Sequence, residues 1–424
     1  VTVAHPQTLN DFGRGRRAAI IAILGGLWTL GSFATDLFLP AMPKAAEALG
    51  ASESAVALSV TTFLIGLGLG QLIAGPVSDG RGRRPTLLAG LVVFTASALV
   101  CLVAPSVEVL VAVRFVQGAA AAFGLAIPNA MVTDYARGRE AARLFSWIVI
   151  IGGVAPLVAS LTGAQMLRLL GWRGPFVALT AIGVFAVVCV VLWLPESLPR
   201  EKRSAGGLGA AFGTMARLTR DGRFMGYTFT GAFVYMAFFA YLGGSTFVYQ
   251  HLYGISPTTY SVLFAVNALG MMVAGQANHR LLARCSPRSL LAAGLIAFAA
   301  AGVAVLVSAL TGALGLWGLA VPFFVIVACM GVILPDLTAL ALSLHPDVAG
   351  TAAAYFGGLR LGLGALVIPL IGIGGTISAT SMAIMMAVTG VAALALFAFT
   401  ARRTRGQRIL LGLPEEASSD VPVA

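Results

Sequence analysis

Four ionisable residues stand within long apolar stretches of this sequence: Asp36, Arg114, Asp336 and Arg360. A charge among hydrocarbon side chains is expensive and marks a functional site by default. An acid so placed can load a proton from one side and release it to the other. Loss of water disfavours its charged form, and approach of a cation favours it. Asp36 in Asp36-Leu-Phe-Leu-Pro40 and Arg114 in Arg114-Phe-Val-Gln117-Gly118 lie four or five residues, or ~6–8 Å, from the same end of their stretches, so they can share a depth. Proton exchange at Asp36, tuned by Arg114, is one reading; snorkelling of either side chain to the near interface is the other. Asp336 and Arg360 stand at similar depths on consecutive stretches. They read as a structural ion pair or as a second proton site, with Asp336 the rival to Asp36.

A second constellation is Gly75-Pro-Val-Ser-Asp79-Gly-Arg81-Gly82-Arg83-Arg84-Pro85. Asp79 ends an apolar helix-length run, where the helix dipole disfavours an anion and calls for cations nearby. Arg81, Arg83 and Arg84, hinged at Gly82, can supply them, and Asp134, Arg137 and Arg139 end another run in the same way. The group reads as a conformational latch or as solvated charge that only sets orientation. Aromatic residues, Phe238, Phe239 and Tyr241 foremost, offer flat faces that grip apolar molecules. With Gln117, Asn129 and Asn267 they are the expected lining of a central cavity. The hydroxyl of Tyr241 needs a polar neighbour.

Other chemistry is missing. The only lysines, Lys44 and Lys202, follow no GxxxxG run, so no Walker-type ATP site is present. His5, His251, His279 and His345 lack zinc spacing, and no GxSxG elbow occurs. Cys101, Cys189, Cys285 and Cys329 are too scattered for a disulfide framework. Gly66, Gly68 and Gly70 lie inside an apolar helix rather than after a strand. No catalytic residue, metal or cofactor is expected.

The elements that must carry these residues follow from composition. Of 424 residues 58% are hydrophobic and 10% charged, and the mean hydropathy is +0.94. Soluble domains carry about 25% charged residues, so neither a soluble enzyme nor a disordered chain fits. A spanning helix needs about 20 apolar residues. Twelve such runs occur, at roughly 18–40, 55–78, 86–104, 109–133, 144–166, 175–194, 225–248, 258–278, 289–309, 316–341, 350–371 and 379–400. The residues before Arg14 are too few and too polar for a signal peptide. With both termini on one side, that side receives 22 of the 27 Lys and Arg. The opposite side keeps Lys44, Arg168 and Arg173. The positive-inside rule makes the rich side cytoplasmic and accounts for the net charge of +11 without nucleic acid.

The longest polar break divides six spans from six. The expected organisation is a cytoplasmic N-terminus (1–17), a six-helix bundle (18–194), a cytoplasmic linker (195–224), a second bundle (225–400) and a cytoplasmic tail (401–424). Leu87-Leu-Ala-Gly-Leu-Val-Val-Phe94 matches Leu291-Ala-Ala-Gly-Leu-Ile-Ala-Phe298, and Ile127-Pro-Asn129 answers Leu334-Pro-Asp336. Two matches at nearly one offset, in equivalent spans, point to duplication. Paired six-span halves are an architecture of secondary transporters.

The Asp79 loop resembles the G-x-x-x-D-R-x-G-R-R signature of the major facilitator superfamily. Asp36 to Pro40 with Pro43, Arg114 to Gly118, Gly171-Trp172-Arg173, Pro195-Glu196-Ser197, Tyr241 with Ser245-Thr-Phe247 and Ala349-Gly350-Thr351-Ala352 extend the likeness over nearly the whole chain. Together they resemble the twelve-span drug:proton antiporters, most closely the bicyclomycin/chloramphenicol resistance (Bcr/CflA) branch. Gly80 departs from the signature, where the family has Arg. So do Ala159-Ser160 and Gly163-Ala164 in the fifth span, where it has Gly-Pro and Gly-Gly. The resemblance implies an all-α integral membrane protein with a pseudo-two-fold axis along the membrane normal. It also implies export of small lipophilic compounds in exchange for protons, across the cell membrane, by a monomer. A proton-coupled uptake permease would use the same fold and charges; a polytopic membrane enzyme or receptor has no constellation to support it.

Overall fold

The computed structural model describes residues 13–136, 138–203, 207–373 and 376–410. Among them the regular structure is helical, with no strand. The first half contains α1 (Arg14–Trp28), α2 (Leu30–Asp36), α3 (Met42–Leu49), α4 (Glu53–Arg81), α5 (Arg83–Leu102), α6 (Val107–Tyr135), α7 (Gly138–Leu170) and α8 (Gly174–Trp193). A connecting helix, α9 (Gly207–Thr219), leads to the second half: α10 (Gly222–Phe247), α11 (Pro257–Leu281), α12 (Pro287–Thr311), α13 (Gly315–Leu342), α14 (Ala349–Ala365), α15 (Val367–Ile371) and α16 (Ala379–Leu410).

Ten segments are long and apolar enough to cross a bilayer as they stand, and one of them, Arg143–Trp193, runs to 51 residues. At 1.5 Å per residue that is roughly 76 Å, enough for two crossings of a ~30 Å core. The chain turns between them at Gly171–Arg173, where Gly171 takes φ +69°. The first crossing is a bent pair, Gly15–Trp28 and Leu30–Leu49, meeting at 43°. Dividing the one and joining the other gives the twelve expected spans among the described residues.

Three details differ from the sequence expectation. The first span breaks at Thr29, whose hydroxyl donates to the carbonyl of Gly26 at 2.7 Å; Gly25, Gly26 and Thr29 are weak helix formers. The segment after it is not an open loop but α3, which buries Met42, Ala45 and Ala46 and exposes Lys44. The polar connection likewise holds α9, which buries Met215 and Leu218 and exposes Arg217. Both are short amphipathic segments, invisible to a search for 20-residue apolar runs.

The two halves repeat one packing scheme. In the first, α4 packs on α6, and α5 on α6 and α8; in the second, α11 packs on α13, and α12 on α13 and α16. Between halves α4 meets α14 and α7 meets α11. Glycine decides the closest approaches. Added methyl groups at Gly66 and Gly70 would strike the α6 backbone at Phe115 and Ala119, and one at Gly118 would strike the backbone of Phe63. Gly68, two residues from each of the former and so on the opposite face of α4, packs on Gly358 and Gly362 of α14. The alternating glycines that resemble a nucleotide fingerprint are two helix-packing faces back to back.

This arrangement separates two substitutions. Gly118→Val should destabilise the first half by on the order of 1–3 kcal/mol through overpacking, read as a lower unfolding temperature. Gly68→Val should spare that half but push α14 away. Disulfide yield between Gln71→Cys and Gly357→Cys, adjoining residues of α4 and α14, should then fall severalfold; an unchanged yield would contradict the two-faced role of α4.

Candidate functional site

At the arginine-rich end the residues of the Asp79 loop form one network. Arg83 pairs with Asp79 at 2.5 Å and with Asp134 at 3.1 Å, and donates to the hydroxyl of Ser78 at 2.7 Å. Gly82, at φ +104°, makes the turn from α4 to α5; a methyl there would collide with the side chains of Glu196 and Arg203. Arg84 reaches the carbonyl of Val191 at 2.7 Å, at the carbonyl end of α8 where a cation is favoured. Arg81 is exposed. Sequence reasoning missed the hub: Glu196 accepts from the backbone N–H groups of Arg83 at 3.0 Å and Arg84 at 3.3 Å, the first turn of α5. Ser197 donates to Asp134 at 2.8 Å. The signal was present in Pro195-Glu196-Ser197, an acid directly after a span. The expectation of a latch across the halves needs correction for this conformation. These bonds join the ends of α4, α5, α6 and α8 within the first half and do not reach the second. Arg137 lies outside the described residues, as do the side chains of Arg14, Arg139 and Lys202.

The halves are tied at the arginine-poor end instead. Thr246 donates to the carbonyl of Leu39 at 2.8 Å, and Gln250 to the carbonyl of Pro40 at 3.2 Å. Glu53 holds His251 Nδ1 at 2.6 Å with one oxygen and the N–H of Ile377 at 3.0 Å with the other. None of these contacts was expected from sequence: Pro40 and Thr246 stood only in stretches that carry the resemblance, His251 only as a histidine without zinc spacing, and Glu53 and Gln250 lie at span ends where polar residues are ordinary.

Between the two ends lie the intramembrane charges. Arg114 is 0% exposed. Its guanidinium carbon stands 4.2 Å from the Phe63 ring and 5.9 Å from the Phe38 ring, and Nη1 donates to Gln117 Oε1 at 2.8 Å. Nε and Nη2 are buried without acceptors. Asp36, 6% exposed, ends α2 and makes no ion pair with Arg114 among the described residues; its electrostatic neighbours in the other half are Tyr241 and Tyr260. The two residues make no bond to each other; the ring faces and Gln117 take up the guanidinium.

The expected Asp336–Arg360 ion pair is absent as well. Asp336, 2% exposed, accepts from Asn278 at 3.1 Å, while the Arg360 head lies 5.1 Å from both the Tyr235 and the Phe356 ring. Matched depth did not fix which way round its helix each side chain points.

The expected cavity lining is brought together in part. Asn267 donates to the Tyr241 hydroxyl at 2.8 Å, the polar neighbour that the hydroxyl required. Phe238 lies 6.3 Å from Tyr241 and 5.6 Å from Phe239. Tyr241 is only 1% exposed, however; the partly exposed rings of the cluster are Tyr235 and Phe238. Gln117 serves Arg114, and Asn129 donates to the carbonyl of Leu125 in its own helix at 3.1 Å, apart from the others.

The sequence profile of the Major Facilitator Superfamily matches residues 21–369. The chain belongs to that superfamily. It is 39% identical over 397 residues to an MFS-type transporter of Bacillus subtilis (strain 168), YdgK, described as uncharacterized, with 93% of this chain and 98% of that one covered. It is 29% identical over 347 residues to a bicyclomycin resistance protein homolog of Haemophilus influenzae, covering 82% and 87%. Among solved structures it superposes on a D-xylose-proton symporter with a TM-score of 0.71 at 17% identity, covering 89% and 96%; that likeness shows the fold alone. The resemblance to the Bcr/CflA branch of the superfamily therefore holds, and the chain is a multi-pass membrane transporter and not an enzyme.

Glu53→Ala removes two of the bonds that tie the halves. In a background without native cysteines, Thr246→Cys should then react severalfold faster with a membrane-impermeant maleimide. An unchanged rate would mean that Glu53 does not hold this end closed.

Proposed function

We propose that the protein exports small drug-like compounds in exchange for protons by alternating access. The observation that carries this reading is Asp36, a carboxylate buried at the junction of the halves, 6% exposed and without a hydrogen-bond or ion-pair partner among the described residues. A charge so placed is costly, and the cost changes whenever the crevice beside it opens to water. Movement between states is then coupled to taking up and releasing a proton. Arg114, one helix away and itself short of acceptors, is positioned to stabilise the ionised form when α2 and α6 shift. The likeness to a protein named for bicyclomycin resistance supports an antibiotic-like substrate.

The charge split makes the arginine-rich end cytoplasmic. The closed end, tied through Glu53, Thr246 and Gln250, then faces outward, and the conformation is the one that admits substrate from the cytoplasm. The Asp79–Arg83–Glu196 network stiffens the first half so that it moves as one body. It affects interconversion rather than substrate affinity. Asp336 is the second acid available to protons.

Two outcomes are expected. Single cysteines replacing Lys44 or Arg173 should label from outside, and one replacing Lys202 should not; external labelling at 202 would overturn the orientation. Asp36→Asn should leave the protein folded in the membrane but abolish uncoupler-sensitive efflux of ethidium from whole cells. Efflux at the unaltered rate would pass the coupling role to Asp336, and higher ethidium accumulation in cells with the protein than without it would replace export by uptake.

A further inference from the structure

The second half holds a cation that proton exchange at Asp36 does not use. Arg360 is the twelfth residue of α14, ~17 Å along the helix from its start. Its Nε and Nη1 are buried and have no acceptor. Asp336, the sole acid within the spans of this half, is turned to Asn278, and no carboxylate among the described residues lies within the 4.0 Å ion-pair limit of Arg360. The rings of Tyr235 and Phe356 lie 5.1 Å from its guanidinium carbon. Ring faces attract the cation but leave its in-plane N–H groups unsatisfied. A desolvated guanidinium held against aromatic walls with donors left unsatisfied is a site for a charge-assisted hydrogen bond to an acceptor such as a carboxylate.

What adjoins it defines the rest of the ligand. Tyr235 lies 5.2 Å from Phe239 and 6.3 Å from Phe238, both edge-on. Arg360, Tyr235 and Phe238 are each partly exposed as residues, although Nε and Nη1 of Arg360 are themselves buried. Tyr235 and Phe238 stand on α10, and the stem of Arg360 packs beside that helix at Gly231. An arginine head does not face lipid hydrocarbon, so this exposure opens to the crevice between the halves.

We propose that Arg360 binds a carboxylate of the transported molecule, with Tyr235 and Phe238 against the attached ring system, so that the substrates of this chain include flat aromatic acids. The word substrate rests on the transport reading above; the binding does not.

The test uses the purified full-length protein in detergent, without a gradient, and two matched probes: norfloxacin, an aromatic acid, and its methyl ester. Ethidium, a flat cation with no acceptor oxygen, is the control. The unaltered protein should bind the acid about tenfold more tightly than the ester, as expected for loss of a charge-assisted hydrogen bond. Arg360→Gln should bring the acid to the level of the ester and change ethidium binding less than about twofold, and Arg360→Lys should restore part of the preference. Equal binding of acid and ester, no binding of the acid up to about 1 mM, or an equal loss of all three probes in Arg360→Gln would overturn the proposal. Should Arg360→Gln fail to fold, the acid-to-ester ratio of the unaltered chain decides. A protein that prefers the acid but exports nothing keeps the inference and loses the transport reading. One that exports ethidium yet shows no preference does the reverse.

Discussion

Close backbone contact along α4 is the constraint on which the rest of the structure depends. In a bilayer, helices gain nothing by hiding apolar surface from lipid, so association relies on van der Waals fit between small residues. Gly66 and Gly70 bring α6 against one face of α4, and Gly68 brings α14 against the other. Gly118 completes the first crossing by letting the Phe63 backbone approach α6. The same approach places the Phe63 ring 4.2 Å from the guanidinium of Arg114, four residues earlier on α6. The packing that builds the first half thus also shelters its buried cation, and α4, which supplies the Phe63 ring, forms half of a crossing between halves.

Each half answers the problem of an intramembrane arginine with aromatic rings rather than a carboxylate. Arg114 has Phe63, Phe38 and Gln117; Arg360 has Tyr235 and Phe356. The physical consequence falls on the acids. A buried ion pair would fix both partners, since breaking it leaves an uncompensated charge, often at 3–5 kcal/mol. Asp36 and Asp336 escape that lock. Among the described residues Asp36 has no bonded partner, and Asp336 has the neutral amide of Asn278. Their ionisation can therefore follow local hydration, which alternates when a crevice opens and closes. Charges sheltered by quadrupoles are compatible with motion in a way that matched ion pairs are not.

Much of this was legible in the sequence, and the reasons for the failures are specific. Apolar run length gave the twelve crossings, and the placement of arginine distinguished the two ends, because the bilayer enforces both. The burial of Asp36, Arg114 and Asp336 within helical segments followed from their place in apolar runs. Their partners did not, because a rise gives height and says nothing of azimuth or of competition from nearby rings. A polar neighbour for the Tyr241 hydroxyl could be expected because a buried hydroxyl has few ways to be satisfied; that Asn267 fills the place could not. Glu196 and Glu53 were missed because their work is done on backbone N–H groups and on turns distant in sequence. The helices α3 and α9 were missed because an amphipathic stretch of 8 or 13 residues looks like polar connection.

The two ends differ in the kind of bond they use, and that difference sets the scale of conformational change. At the arginine-rich end, charged side chains hold the ends of helices within one half, so they survive a rocking motion. At the other end the bonds from Thr246, Gln250, Ile377 and His251 cross between halves and must break if that end opens. A hydrogen bond exchanged for one to water is worth about 0.5–1.5 kcal/mol net. Four of them amount to about 2–6 kcal/mol, comparable with the ~5.5 kcal/mol that carries a two-state equilibrium from 1:99 to 99:1. The crossing at Gly68, Gly358 and Gly362 has no hydrogen bond to lose and can act as a pivot. A ligand or proton that distinguishes the two states by a few kcal/mol is then sufficient to move the molecule between them.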